Sequence, residues 1–213
     1  MLDSLEQEEY TLIQNIIELS IKKSVNSLSK LIEEDVSLLE LEFEEILNIQ
    51  QLSSLIVSEQ TYYILTSQIV GELSAESFLI INQENAQLFW EIMLKHHPEK
   101  TNEMKDALLL EIDNILTASG VIVLSELLNI KIYGDVPNLR LLDQADMQVF
   151  IEQELQTFDF SLTYKAKLQS EESQVKLDFI WGFKKDFLEL IRLPENIVNL
   201  PTKIDEYFRI LTY

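Results

Sequence analysis

The sequence predicts an α+β fold: an internally duplicated, pseudo-two-fold unit in which each half carries a long helix, a β-hairpin and a shorter helix. Three observations predict it. Apolar residues recur at helical spacing over two long stretches, 5–34 and the region running from Glu111 to Pro137. Residues Phe158 to Leu168 alternate strictly, with Phe158, Phe160, Leu162, Tyr164, Ala166 and Leu168 on one side, the pattern of a half-buried strand. The order of these signals repeats at a constant offset of 99 residues, which sets Asn15 on Asn114, Ile16 on Ile115 and Leu28 on Leu127.

In chain order, the first long helix carries Leu12, Ile16, Leu19, Lys23, Leu28, Leu31 and Ile32 at near-helical spacing. The first hairpin turns Tyr63, Leu65, Ser67 and Ile69 inward. Its second strand matches Phe78 and Ile80 to Leu177 and Phe179 of the second hairpin. The turns Gly71–Ala75 and Ser170–Gln174 are polar or small, as turns require. A helix follows each hairpin, over Glu84–His96 and Phe183–Arg192.

One hairpin alone leaves an apolar face uncovered. The two are therefore expected to share one mainly antiparallel sheet flanked by helices. That makes 1–213 a single domain of two repeats, about 1–97 and 98–213, like a homodimer fused into one chain. Between them Pro98 ends a helix, and Thr101 or Asn102 caps the next. Leu193 to Pro201 holds two prolines and is expected to be irregular, followed by a short helix over Thr202–Thr212 with Ile204, Tyr207, Phe208 and Leu211 inward. The acidic run Glu40–Glu45 reads as a solvated face. Phe89, Trp90, Phe179, Trp181 and Phe183 read as core aromatics.

Charge and composition exclude several functions. The formal net charge is −21, with 37 acidic against 16 basic residues, so the counterion release that drives nucleic-acid binding has no basic stripe to act through. An anionic membrane surface is disfavoured for the same reason. The absence of cysteine excludes disulfides, thiol nucleophiles and cysteine-based zinc sites, and fits a cytoplasmic location. Met1–Tyr10 is acidic and lacks a signal core, and no uninterrupted apolar run reaches about 18 residues, so no membrane insertion is expected. Four glycines leave no phosphate-cradling loop. His96 and His97 are adjacent, diverge on a helix and have no third ligand in view, so no metal site is expected.

The central helix carries the chemistry. Leu109, Ile112, Leu116, Val123 and Leu127, with Leu108, Ile115 and Ile122, form its apolar stripe. The opposite stripe reads Ala107, Glu111, Asn114, Ala118, Val121 and Ser125. Glu111 and Asn114 are three apart, so their side chains leave the helix together, and the small residues around them allow a second protein to lie flat on this face. Twenty-two residues separate Asn114 from Pro137.

In this Glu-x-x-Asn pair, the spacing to Pro137 and the duplicated helix–hairpin plan, the chain resembles the CheC/CheX/FliY family of chemotaxis phosphatases, and CheC-like proteins most. The resemblance implies a cytoplasmic protein that acts in trans on the aspartyl phosphate of a CheY-like response regulator. In that role Glu111 pairs with the lysine of the receiver's active site and Asn114 orients the attacking water. Pro137 shapes the chain beside the helix. The Mg²⁺ belongs to the partner, and the chain needs no cofactor of its own. A carboxamide suits the orienting role, because its oxygen accepts from water and its NH₂ donates, yet it is too weakly basic to take a proton.

The chain departs from the family pattern at several positions. Ala107 stands where Asp or Ser is usual, with Asp106 one place away, and Asp113 stands where Gly is common. The first copy keeps Asn15 but has Leu12 in place of Glu and Leu38 in place of Pro, so it reads as a degenerate, inactive site. These departures keep a second reading open: a non-catalytic CheC-like adaptor for a receiver domain, a CheD-like protein or a flagellar switch component.

Overall fold

A computed structural model describes residues 6–44, 60–157 and 162–211. Phe158 and Phe160 of the alternating run, Glu45 of the acidic run and Thr212 of the last helix lie outside the described residues. In chain order the elements are α1 (Gln7–Ile32), β1 (Val36–Glu44), β2 (Tyr62–Gly71), β3 (Ala75–Asn82), α2 (Gln83–Met93) and α3 (Asn102–Leu128). There follow β4 (Ile132–Gly134), β5 (Asn138–Leu142), α4 (Gln144–Thr157), β6 (Leu162–Ser170), β7 (Lys176–Phe183), α5 (Lys185–Ile191) and α6 (Pro194–Leu211).

The strands form one seven-stranded sheet, ordered β1-β6-β7-β3-β2-β4, with β5 also on β2. All its pairings are antiparallel. The two hairpins meet at its centre, where Leu79 of β3 faces Phe179 of β7. Each is flanked by a strand from the other half of the chain: β1 lies on β6, and β4 and β5 lie on β2. This exchange gives the halves one continuous sheet.

The offset of 99 residues does not survive the hairpin turns. Phe78 and Ile80 belong to one hydrophobic cluster, while Leu177 and Phe179 belong to another on the opposite face. Ile69 of β2 pairs with Ala75, six residues on, whereas Leu168, its counterpart in β6, pairs with Leu177, nine residues on, and an odd change of register moves every side chain of a strand to the other face. Leu79 and Phe179 are the pair that share a face.

The main core lies between the sheet and the two long helices. Ile16, Leu28, Leu109, Ile112, Leu116 and Leu127 bury against Leu65, Ile69, Phe179 and Trp181. At the helix crossing small residues bring the backbones together. Ser24 Oγ donates to the Leu116 carbonyl at 2.7 Å, and Ser119 Oγ donates to Ser27 Oγ at 2.8 Å. A Cβ on Gly120 would sit 2.9 Å from the ring of Trp181, which is itself fully buried. Gly120→Val is therefore expected to lower stability by about 1–3 kcal/mol, the scale of overpacking a filled core. Urea unfolding at neutral pH measures it, and an unchanged midpoint would show that the crossing has room to spare.

The other face of the sheet carries a smaller cluster. Tyr62, Ile64, Phe78, Ile80 and Ile180 are covered by Met147 and Phe150 of α4. The acidic run is the outer side of β1 on an edge strand, where Glu40 meets Lys167 at 3.0 Å and Glu42 meets Lys165 at 3.8 Å.

Two sequence expectations are corrected here. The stretch 193–201 is helical, because α6 runs without a break through Pro201. Pro194 occupies the first turn, where its missing N–H is not needed. An interior proline costs about 3 kcal/mol. Burying Leu200 and Ile204 offsets that at about 1.5–3 kcal/mol each. Secondly, α3 is by length and composition apolar enough to cross a membrane, although no uninterrupted run showed it. More than half of its most apolar window is buried between α1 and the sheet, which accounts for that apolarity within this fold.

Candidate functional site

The local sequence fixes α3 at both ends. Thr101 caps its start, accepting from the Met104 N–H at 3.3 Å. Asn129 closes it in the left-handed region at φ 54°, and Ser125 Oγ donates to the Ile130 carbonyl at 2.6 Å. Between these caps the helix turns a continuous exposed stripe to solvent: Ala107, Glu111, Asn114, Ala118 and Ile122. Val121 is buried and Ile122 is 46% exposed, the reverse of the sequence assignment. Val121, next to Gly120, belongs to the main core cluster.

Glu111 and Asn114 are both exposed on this stripe, one turn apart. Among the described residues neither makes a hydrogen bond or ion pair, so both are free to meet another molecule. Pro137 is half-buried in the connection between β4 and β5. This connection is held against β2 by the Asp135 N–H, which donates to the Gln68 carbonyl at 2.7 Å, while the Val136 N–H is tied to Asp135 Oδ1 at 2.7 Å. Just before it Gly134 packs on α3, where an added Cβ would come within 3.3 Å of the Thr117 methyl. The loop bearing Pro137 thus stands beside the helix at the level of the Asn114 turn.

Asp113 does not reach this surface. It is fully buried under α3, accepts from Ser67 Oγ at 2.5 Å, and leaves its other oxygen without a partner. Burial raises its pKa from 3.8 to about 7, against the opposing pull of the Ser67 bond. The Asp113 carboxyl is therefore turned away from the exposed face and holds its proton over most of the acidic range.

Beyond Ala107 toward the helix start, α3 borders a groove of about 480 Å³ lined by Tyr63, Trp90, Lys105, Asp106 and Leu139 among others. Lys105 Nζ sits 4.8 Å over the Trp90 ring. Burial, and then Asp106, raise the pKa of the Tyr63 phenol.

The corresponding stretch of α1 is placed differently. Asn15 is half-buried on α1, and the face around it is closed by α6: Leu12 and Asn15 line a cleft with Pro201, Ile204 and Asp205. Further along, Lys22 lies over the Phe208 ring at 4.9 Å. Leu12 and Leu19, which stand where α3 has Glu111 and Ala118, are both buried. Leu12 is thus a helix–helix contact, and no carboxylate is presented at this position of α1.

His96 and His97 are exposed, and among the described residues no group of acidic or histidine side chains is placed to hold a metal. Sequence reasoning missed Ser67 and the inward turn of Asp113. The signal was present: Ser67 falls at an inward position of an alternating strand, and Asp113 follows the buried Ile112 and precedes Leu116 by three.

No protein-family model matches this sequence, and no curated protein matches it. Solved structures match in shape. FliY from Thermotoga maritima superposes with a TM-score of 0.63 at 18% identity, over 98% of this chain and 99% of that one. CheX from Desulfovibrio desulfuricans does so with a TM-score of 0.57 at 10% identity, over 79% and 99%. A chain of the CheX–CheY–BeF3–Mg²⁺ complex from Borrelia burgdorferi gives 0.53 at 12% identity, over 79% and 97%. The chain has the fold of the CheC/CheX/FliY proteins.

Proposed function

We propose that this protein is a cytoplasmic phosphatase of two-component signalling that acts in trans on the aspartyl phosphate of a CheY-like response regulator. The observation that carries this reading is the pair Glu111 and Asn114, exposed together on α3 and unengaged. The captured complex of CheX with CheY, from a structure of this fold, supports a receiver domain as the partner.

In the reaction a water oxygen bonds to phosphorus, the bond from phosphorus to the receiver's aspartate oxygen breaks, and inorganic phosphate and a free carboxylate result. The partner supplies the phospho-aspartate and its Mg²⁺. This chain supplies orientation. The Asn114 carboxamide accepts from the water through Oδ1 and donates through Nδ2, holding it in line with the leaving oxygen. Glu111 pairs with the receiver's active-site lysine, an interaction that strengthens once the interface excludes water. Pro137 stiffens the loop beside them.

The exposed Ala107 favours a second reading, since it offers neither the carboxylate nor the hydroxyl usual at that position. On that reading the same face binds a receiver, a CheD-like protein or a flagellar switch component without catalysis. The deciding experiment mixes the protein with phosphorylated, Mg²⁺-loaded receivers from the same host and follows loss of the phosphoryl group. Accelerated decay is expected for at least one receiver. Binding without acceleration establishes the adaptor.

A further inference from the structure

Asp113 lies between Glu111 and Asn114 in sequence and points the opposite way, into the protein. Its bond to Ser67 does not stand alone. One turn along α3, Thr117 Oγ1 lies 2.9 Å from Ser77 Oγ, and Ser77 Oγ also reaches the Ser67 carbonyl at 3.4 Å. All four side chains are buried. Together they form a polar seam between α3 and the β2–β3 hairpin, set among Leu65, Ile69, Leu109 and Leu116. An apolar seam would avoid the cost of desolvating these groups. It would also tolerate sliding, whereas a hydrogen bond weakens steeply when its distance or angle changes.

The position of Ser67 on its strand gives the seam a purpose. β2 pairs with β5 through Tyr62–Thr66 and with β4 through Ile69–Gly71. Ser67 and Gln68 are the two residues left between, and there the connection 135–137 departs from the ladder. The Asp135 N–H marks the departure by donating to the Gln68 carbonyl at 2.7 Å. Pro137 immediately precedes Asn138, the partner of Thr66. Ser67 is thus the strand residue level with the loop that carries Pro137.

We propose that Asp113 is a positioning residue: through Ser67 it holds α3 at one axial register on β2, and so sets Asn114 and Glu111 at a fixed height against the 135–137 loop. This rests on the reading of Asn114 as the group that orients water. A slip of one helical residue moves Asn114 by about 1.5 Å along the axis and swings it about 100° around it. Misplacement on the ångström scale is enough to cost large factors in a reaction that depends on alignment.

The test compares Ser67→Ala, Asp113→Leu and the conservative Asp113→Asn in the full-length chain. An asparagine at 113 can still accept from Ser67 and carries no charge. Turnover of a phosphorylated receiver within the bound complex is expected to fall about tenfold or more in Ser67→Ala and Asp113→Leu, a larger loss than that of receiver affinity, and to be kept in Asp113→Asn. In parallel, the Asn114 side-chain amide resonances are expected to shift in the first two variants and hold in the third. Those of Asn15 hold in all three. Wild-type turnover in Ser67→Ala, or an unmoved Asn114 resonance in both disruptive variants, overturns the proposal. A wild type inert toward every receiver defeats the phosphatase reading instead, and the resonance comparison still decides whether the seam positions Asn114.

Discussion

Asn114→Ala is expected to lower the turnover of phosphorylated receiver by about a hundredfold, the scale of lost alignment, which corresponds to about 2.7 kcal/mol of barrier. Its affinity for the receiver should change little, because the carboxamide is one small group on a broad exposed stripe. Stability should not change measurably, since Asn114 is exposed and makes no bond among the described residues. Glu111→Ala should divide differently. Removing the docking carboxylate weakens association and makes it less sensitive to salt, while the reaction within the bound complex keeps most of its rate. Single-turnover decay measured against receiver concentration separates the two effects. Equal losses of rate and affinity in Asn114→Ala would make it a binding residue and favour the adaptor.

The long helices, the hairpins and the exposed pair were legible in the sequence because each follows from a period. Helical spacing placed Leu109, Ile112 and Leu116 inside and Glu111 and Asn114 outside, and the structure agrees. Alternation placed Leu162, Tyr164, Ala166 and Leu168 inside, and all four are buried. What the periods could not show is how elements meet. Phe78 and Ile80 alternate as well as Leu79 and Ile81 do. Only α4, packing on the far face, reveals that both sets are buried. The helix through Pro201 was hidden because a local rule about proline was outweighed by burial of Leu200 and Ile204, which depends on α1 lying beneath them. The buried neighbours Ile112 and Leu116 marked the side of α3 on which Asp113 lies, but not what it meets there. Its burial depends on Ser67, 46 residues away, and no local pattern joins the two.

The largest expected effect of solution conditions comes from two buried acids. Glu76 of β3 is 4% exposed with one oxygen unpartnered. Burial, reinforced by Glu154 and opposed by Lys184 and Arg140, raises its pKa from 4.5 to about 8. Asp113 is raised to about 7 by burial. In both, the folded state holds a proton that the unfolded chain releases near pH 4. The stability these neutral acids lend is therefore complete below about pH 4, declines as pH rises through the folded values of about 7 and 8, and levels off beyond them. At about 1.36 kcal/mol per unit, each acid accounts for a loss on the order of 4 kcal/mol between these limits, an upper bound because the fold can relax around a buried charge. Repulsion within a chain of net charge −21 also grows over this range, so the slope of the wild type alone does not identify its source. A double variant, Glu76→Gln with Asp113→Asn, separates them: it deletes both ionisations and leaves nearly all the surface charge. Urea midpoints for the wild type are expected to fall steeply from pH 5 to pH 9, and those of the double variant far less, so that the variant becomes the more stable protein at pH 9. Parallel curves would mean that both carboxyls ionise at ordinary pH and find solvation that their burial does not show.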